Sequence, residues 1–103
     1  MELKDKIWQA LEDVIDPEVG VNIVDLGLVY ELNVDDQHNV DVTMTLTIPQ
    51  CPLRDEIVAD VTKRVSEVEG VKKVDVHLVF EPAWTPARMN DQAIEEIRRR
   101  QMV

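Results

Sequence analysis

The stretch from Thr45 to Pro52 constrains the fold of this chain more than any other, because it joins a strand pattern to a helix pattern and contains the only cysteine. Apolar and polar side chains alternate from Val40 to Ile48, which predicts a strand with one face on a core. Pro49 and Pro52 lack a backbone N–H, so the strand is expected to stop there. Pro52 also suits the first turn of a helix, where no partner for that N–H is needed.

Cys51 is therefore predicted at the carboxyl end of a strand and the amino end of a helix. Free N–H groups and the helix dipole at such a position lower the pKa of a thiol from its free value of about 8.5. The resulting thiolate attacks electrophiles or binds metal. The alternative is that Cys51 is a small buried apolar residue, as many lone cysteines are.

Two more strands and three helices are predicted from the remaining patterns. Alternation indicates a strand from Leu28 to Val34, a polar hairpin turn at Asp35 to Asn39, and a third strand within Val71 to Phe80. Apolar residues at helical spacing form three sets: Leu3, Ile7, Trp8, Leu11, Val14 and Ile15; Leu53, Ile57, Val61, Val65 and Val68; and Ala93, Ile94 and Ile97.

Proline, glycine and asparagine residues predict where these elements end or begin. Asp16-Pro17-Glu18 is predicted to end the first helix, since a residue before proline avoids the helical region. Gly70 is expected to form a left-handed cap after the second helix, and Asn90 to cap the last one. Residues 19–27 are predicted to be a connection with a single helical turn, and residues 81–89 an irregular proline-rich loop.

The order α-β-β-α-β-α predicts an α/β (α+β) fold in one domain of residues 1–103, with a small mixed three-stranded sheet and helices on one face. The first two strands should pair as an antiparallel hairpin. The second and third are joined by a helix, so they should run parallel through a right-handed crossover. Ligands of such sheets bind beyond the carboxyl ends of strands, which is where the Cys51 loop is expected.

Charge and composition narrow the classes of partner. The 21 acidic and 11 basic residues give a net charge of −10, which repels nucleic acid and anionic lipid, so neither is expected as a partner. A lone cysteine cannot form an internal disulfide, and neither a signal peptide nor an apolar run near the ~18 residues of a membrane span is found. We therefore expect a cytoplasmic protein with an acidic surface.

Four further residues are candidates for a site, each with a plainer alternative. Asp16 and Glu18 either stop a helix in solvent or lie beside Cys51 as proton acceptors or oxygen ligands. Thr47, near the cysteine loop, either follows the preference of threonine for strands or holds a ligand and orients the thiolate. Trp84 either packs its loop on the core or, if exposed, forms a partner surface.

Four segments, in register, carry a resemblance to a known family. They are Asp16-Pro17-Glu18, Asp25-Leu26-Gly27-Leu28-Val29-Tyr30, Thr45-Leu46-Thr47-Ile48-Pro49-Gln50-Cys51-Pro52 and Glu81-Pro82-Ala83-Trp84-Thr85-Pro86. Together they resemble the iron–sulfur cluster assembly family of PaaD-like and SufT-like proteins, relatives of the eukaryotic cytosolic targeting-complex subunit. The resemblance covers essentially the whole chain. It implies an α/β fold with a small mixed sheet, a site at Asp16, Glu18, Thr47 and Cys51, and a role in maturing iron–sulfur proteins.

The leading hypothesis is an accessory factor, not an enzyme, in iron–sulfur cluster assembly or delivery to apoproteins. Cys51 would hold iron or a labile cluster transiently, while Asp16, Glu18 and Thr47 shape the pocket. Clusters usually need four thiolates and this chain has one, so no stably bound cofactor is expected, and further ligands would come from a homodimer, small thiols or a partner. The expected partners are an assembly scaffold and client apoproteins.

Two other classes of function stay open. A non-metal adaptor would dock on a scaffold or client, with Cys51 needed only for fold or contact. A thiol enzyme would use Cys51 with Asp16 or Glu18 as base. The enzyme ranks last, because carboxylates are weak bases unless desolvated and no oxyanion hole is readable.

Overall fold

The computed structural model describes residues 2–17, 19–47 and 52–101. The described helices and strands are, in chain order, α1 (Leu3–Leu11), β1 (Ile15–Asp16), β2 (Val21–Asn22), β3 (Val29–Val34), β4 (Asn39–Met44), α2 (Arg54–Ser66), β5 (Lys73–Leu78), a 3-10 turn (Pro86–Arg88) and α3 (Asp91–Gln101). The predicted order α-β-β-α-β-α is present as α1-β3-β4-α2-β5-α3. A two-stranded ribbon, β1 with β2, is added between α1 and β3.

The sheet has the predicted topology, with strand order β3-β4-β5. β3 pairs antiparallel with β4, and β4 pairs parallel with β5, so that Val42 lies between Leu32 and Val76. In the hairpin turn the Asp35 carboxylate accepts the N–H of Asn39 at 2.8 Å, and this bond holds the pKa of Asp35 below its ordinary value. The mixed α/β fold class is thus confirmed.

One face of the sheet is covered and the other is open. The buried side chains of the covered face and its helices include Val40, Val42 and Met44 of β4 and Ile57, Val61 and Val65 of α2. α2 packs against β5 and α1 packs against α2, while α3 contacts the ribbon strand β2. On the open face Glu31, Asp75 and His77 are exposed. No helix in the described ranges is long and apolar enough to cross a membrane.

The first helix is shorter than its apolar spacing predicts. It ends at Leu11, and the prediction that it runs through Ile15 to an Asp16-Pro17-Glu18 stop is wrong. The Val14 carbonyl accepts the N–H of Ile23 at 2.9 Å, and Ile15 and Asp16 pair with Asn22 and Val21. These bonds to a segment several residues downstream replace the last helical turn, and they leave Ile15 49% exposed.

The strand-to-helix junction also differs from its prediction at both ends. β4 ends at Met44, and Thr45 is as deeply buried as Leu46, so the inward–outward alternation breaks before Ile48. α2 begins at Arg54, so Pro52 precedes the helix and does not lie in its first turn. Ile48 and the three residues after it lie outside the described residues.

Of the smaller predictions, the single turn in residues 19–27 is confirmed by a hydrogen bond from Leu26 N–H to the Asn22 carbonyl at 3.1 Å. The Asn90 cap is confirmed by its Oδ1, which accepts the N–H of Ala93 at 2.9 Å. Gly70 has the left-handed φ of 101° but lies three residues beyond Glu67, which caps α2. The loop expected to be irregular contains the 3-10 turn Pro86–Arg88.

Candidate functional site

Two of the four predicted site residues, Asp16 and Thr47, are described by the structure, and Glu18 and Cys51 lie outside the described residues. In the sequence Cys51 precedes the first residue of α2 by three positions, and Glu18 directly follows Pro17. The thiolate character of Cys51 and its closeness to the carboxylates therefore stay predictions. The surroundings of Asp16 and Thr47 can be described directly.

Asp16 is a buried residue of the ribbon, only 1% exposed. Its main-chain carbonyl accepts the N–H groups of Val19 at 3.2 Å and Gly20 at 2.7 Å, which closes a tight turn after Pro17. Gly20 has φ = 81°, a left-handed conformation that glycine adopts without strain. The alternative of a solvated carboxylate that ends a helix is therefore wrong for Asp16, because this residue is buried in a strand of the ribbon.

The ribbon lies against the beginning of α2. A cavity of about 210 Å³ between them is lined by Ile15, Pro17, Glu56, Ile57 and Asp60. Glu56 and Asp60 are one helical turn apart, so both carboxylates are on the side of α2 that faces the Asp16-Pro17 corner. The corner that carries Asp16 and the helix that follows Cys51 are thus neighbours in the fold.

Thr47 lies at a second cavity. This cavity of about 190 Å³ is lined by Thr45, Leu46, Thr47, Phe80, Ala83 and Trp84. Thr47 is half-buried, whereas Thr45 is 1% exposed. No described residue forms a hydrogen bond with the Thr45 hydroxyl, which is unusual for a buried polar atom. Period-two patterning assigned Thr45 to the wetter face, so sequence reasoning missed this residue.

Residues 81–90, which we call the strap, contribute Ala83 and Trp84 to the lining of this second cavity. The Trp84 indole is half-buried and its Nε1 donates a hydrogen bond to the Leu26 carbonyl at 2.7 Å. The Tyr30 hydroxyl donates to the Pro82 carbonyl at 2.8 Å. These bonds join the Asp25–Tyr30 motif to the Glu81–Pro86 motif, although the two are more than fifty residues apart in the chain.

Asp25 is the centre of a polar network that the sequence analysis did not identify. Its Oδ2 accepts Asn22 Nδ2 and its Oδ1 accepts Asn90 Nδ2, both at 2.7 Å. The Asp25 carbonyl also accepts the N–H of Asn90 at 3.0 Å. Asp25 therefore ties the ribbon to the beginning of α3. The Asp-Leu-Gly sequence, a polar residue before a turn glycine, is the only local signal for such a role.

The four motifs thus fall into two clusters. The Thr45–Thr47 segment and the strap line the second cavity. The Asp25–Tyr30 motif joins them through the Leu28 carbonyl, which accepts the N–H of Thr45 at 2.8 Å. The Asp16-Pro17 corner meets α2 at the first cavity. The residues of the β4–α2 junction, Cys51 among them, connect these two clusters in the sequence.

The described residues do not by themselves form a metal site. Within these ranges no group of three or more His, Cys, Asp or Glu is placed to hold a metal ion. Both histidines are exposed: His38 Nδ1 lies 3.0 Å from the Gly70 carbonyl, and His77 Nε2 lies 3.1 Å from Asp41 Oδ1.

Replacing Trp84 is expected to loosen the strap. Trp84→Ala should lower the free energy of unfolding by about 3 kcal/mol, since it removes a large packed ring and leaves the Leu26 carbonyl without its donor. Trp84→Phe keeps a ring and should cost about 1 kcal/mol through the lost hydrogen bond. Urea unfolding measures both. Trp8→Phe is the control, since no hydrogen bond from the Trp8 indole is described, and an equal loss in Trp8→Phe and Trp84→Phe would contradict the anchoring role.

A family described as iron–sulfur cluster assembly protein matches residues 4–78. The chain is 46% identical over 91 residues to the Fe-S protein maturation auxiliary factor YitW of Bacillus subtilis, covering 88% of this chain and 89% of that protein. It is 43% identical over 97 residues to an Fe-S protein maturation auxiliary factor of Porphyromonas gingivalis, covering 94% and 92%. A crystal structure of a domain of unknown function, DUF59, from Bacillus anthracis superposes with a TM-score of 0.89 at 40% identity, covering 93% of this chain and 92% of that one.

Proposed function

This chain belongs to the iron–sulfur cluster assembly family, and on that premise we propose that it is an accessory factor in the assembly of iron–sulfur clusters or their delivery to apoproteins. The observation that carries the proposal is the family match over residues 4–78, a range that includes Asp16, Glu18, Thr47 and Cys51. Maturation factors of similar length and more than 40% identity support the same role.

In this proposal Cys51 is the residue that contacts the cargo. The cargo is iron or a labile cluster, held transiently, because one thiolate cannot complete a cluster that usually takes four. The remaining ligands would come from a second copy of the chain, small thiols or a partner. Asp16, Glu18 and Thr47 would shape the pocket, and two observations support that arrangement. The Asp16-Pro17 corner packs against α2, and Thr47 lines a cavity on the same junction.

The partners proposed are an assembly scaffold and client apoproteins. A net charge of −10 favours clients that present basic patches, and it disfavours nucleic acid and anionic membranes. The factor would work in the cytoplasm, where a single thiol stays reduced. It would act by holding and passing on cargo, and no substrate bond would be made or broken by its own side chains.

Anaerobic incubation of the full chain with ferrous iron and sulfide tests the proposal. The wild-type protein, after removal of free iron, is expected to keep visible absorption from thiolate-ligated iron and to lose it when an apoprotein that takes up clusters is added. A wild-type spectrum that matches the buffer control, in the presence and absence of small thiols, would contradict a cargo-holding role.

A non-metal adaptor is the second candidate function. It is supported by the net charge of −10, which suits docking on basic patches of a partner without any metal. In this case co-purification with the assembly scaffold should survive Cys51→Ser unchanged. Under the leading proposal, the same substitution should weaken retention of clients that have no cluster yet.

A further inference from the structure

A third concave surface lies apart from the two cavities of the junction. It is a groove of about 430 Å³ between the beginning of β3 and the strap, lined by Gly27, Val29, Tyr30, Pro82 and Arg88. Its volume falls in the range of pockets that hold small ligands. The proposed function uses none of these five residues.

Arg88 lies at the wall of this groove, with its guanidinium over the Tyr30 ring. Its guanidinium carbon lies 4.6 Å from the centre of the Tyr30 ring, a cation–π contact. Its backbone N–H donates to the Thr85 carbonyl at 3.0 Å and belongs to the 3-10 turn. Gly27, which has no side chain, lets the Arg88 backbone approach closely. The hydrogen bond from Tyr30 to Pro82 fixes the ring on which the guanidinium rests.

Arg88 differs from Arg64, Arg98 and Arg99 in its charge partners. Arg64, Arg98 and Arg99 each pair with a carboxylate on their own helix. No such pair is found for Arg88 among the described residues, and its side chain is exposed. In a chain with 21 acidic residues, a guanidinium that is fixed on an aromatic ring is still available to a further anion. Stacking occupies only its face and leaves the N–H edge free for a planar, bidentate acceptor.

We propose that this groove binds a carboxylate attached to an apolar group, with Arg88 donating two parallel hydrogen bonds to the carboxylate. Val29, Tyr30 and Pro82 supply the apolar wall that contacts the rest of the ligand. A single cation and an apolar wall suit a singly charged planar group better than phosphate, whose second charge would meet the acidic field of the chain.

The test is a titration of the full ¹⁵N-labelled chain followed by NMR, with benzoate as the probe. Benzamide has nearly the same shape without the charge, and inorganic phosphate is the anion without the apolar group. Benzoate is expected to shift the amide signals of Gly27, Val29, Tyr30 and Arg88, and to bind about tenfold or more tightly than either control. Equal affinity for benzamide, or shifts spread over all basic residues, would overturn the proposal without any variant.

Substitutions at Arg88 test whether its guanidinium is the group that binds the carboxylate. Arg88→Gln should weaken benzoate binding about tenfold or more, and Arg88→Lys should fall between it and wild type because one ammonium cannot bind bidentately. Arg64→Gln removes the same charge elsewhere and should bind as wild type. Wild-type affinity in folded Arg88→Gln would overturn the assignment.

A peptide with blocked ends and one Glu beside Phe forms a second arm of the experiment. If this peptide binds more tightly than benzoate, the ligand is an acidic side chain of a partner; if benzoate does, it is a free carboxylic acid.

Discussion

Cys51→Ser is expected to abolish the absorption that the wild-type chain gains from ferrous iron and sulfide under anaerobic conditions. Serine has nearly the size of cysteine, but its hydroxyl does not ionise near neutral pH and is a hard oxygen donor, whereas the iron of clusters takes soft thiolates. Since the sequence has no other cysteine, no second thiol in the chain can replace it. Spectra of the two proteins, recorded after free iron has been removed, measure the effect.

Threonine substitutions provide the matched controls for this result. Thr47→Val keeps the shape of a half-buried side chain at the junction cavity and removes its hydroxyl, so we expect partial loss of the absorption. Thr43→Val makes the same change on β4, outside the junction, and should leave the spectrum as in wild type. Retention of full absorption by a folded Cys51→Ser protein would rule out Cys51 as the iron ligand.

Gly27→Ala is expected to destabilise the fold by about 2–4 kcal/mol, the largest effect on stability that we predict for a single added methyl group. Gly27 has φ = 78°, which strains any residue with a Cβ. An added Cβ would also overlap the backbone carbonyl oxygen and the Cβ of Arg88. The strap would have to move away from the Asp25–Tyr30 motif, and the Trp84 hydrogen bond to Leu26 would be lost with it.

Gly70→Ala is the matched control, because it separates backbone strain from the clash. Gly70 also has a positive φ, 101°, but the nearest atom to an added Cβ is Leu3 Cδ1 at 3.4 Å, an ordinary contact with the end of a side chain. We therefore expect a loss of only about 1 kcal/mol for Gly70→Ala. Urea unfolding of both variants gives the comparison, and equal losses would mean that the contact between Gly27 and Arg88 contributes nothing.

Hydrophobic periodicity was sufficient to predict the main sheet and the helices. The alternation of Val40, Val42 and Met44 gave β4 with its buried face, and the spacing of Ile57, Val61 and Val65 gave α2. The connections between strands then determined the strand directions. A short polar turn permits only an antiparallel hairpin, and a helical crossover permits a parallel pair. The family was readable from four short motifs because their order and spacing are specific even though each one is weak.

The same local reasoning failed where contacts with another segment of the chain override the local pattern. Val14 and Ile15 continue a helical spacing, yet the segment after α1 pairs with β2, and no pattern within α1 reveals that partner. Thr45 alternates as if exposed, but the strap covers it, and the strap lies almost forty residues away in the chain.

By itself the sequence determined the three helices and the three strands of the main sheet, how these strands pair and to which family the chain belongs, because these depend on residue periods and motif order. Only the tertiary structure decided that Asp16 is buried in a ribbon, that Asp25 joins Asn22 to Asn90, and that Arg88 rests on Tyr30. The physical reason is that single hydrogen bonds and close contacts leave no periodic signal in either segment, whether the partners are a few positions apart, as Asn22 and Asp25 are, or more than fifty, as Asp25 and Asn90 are.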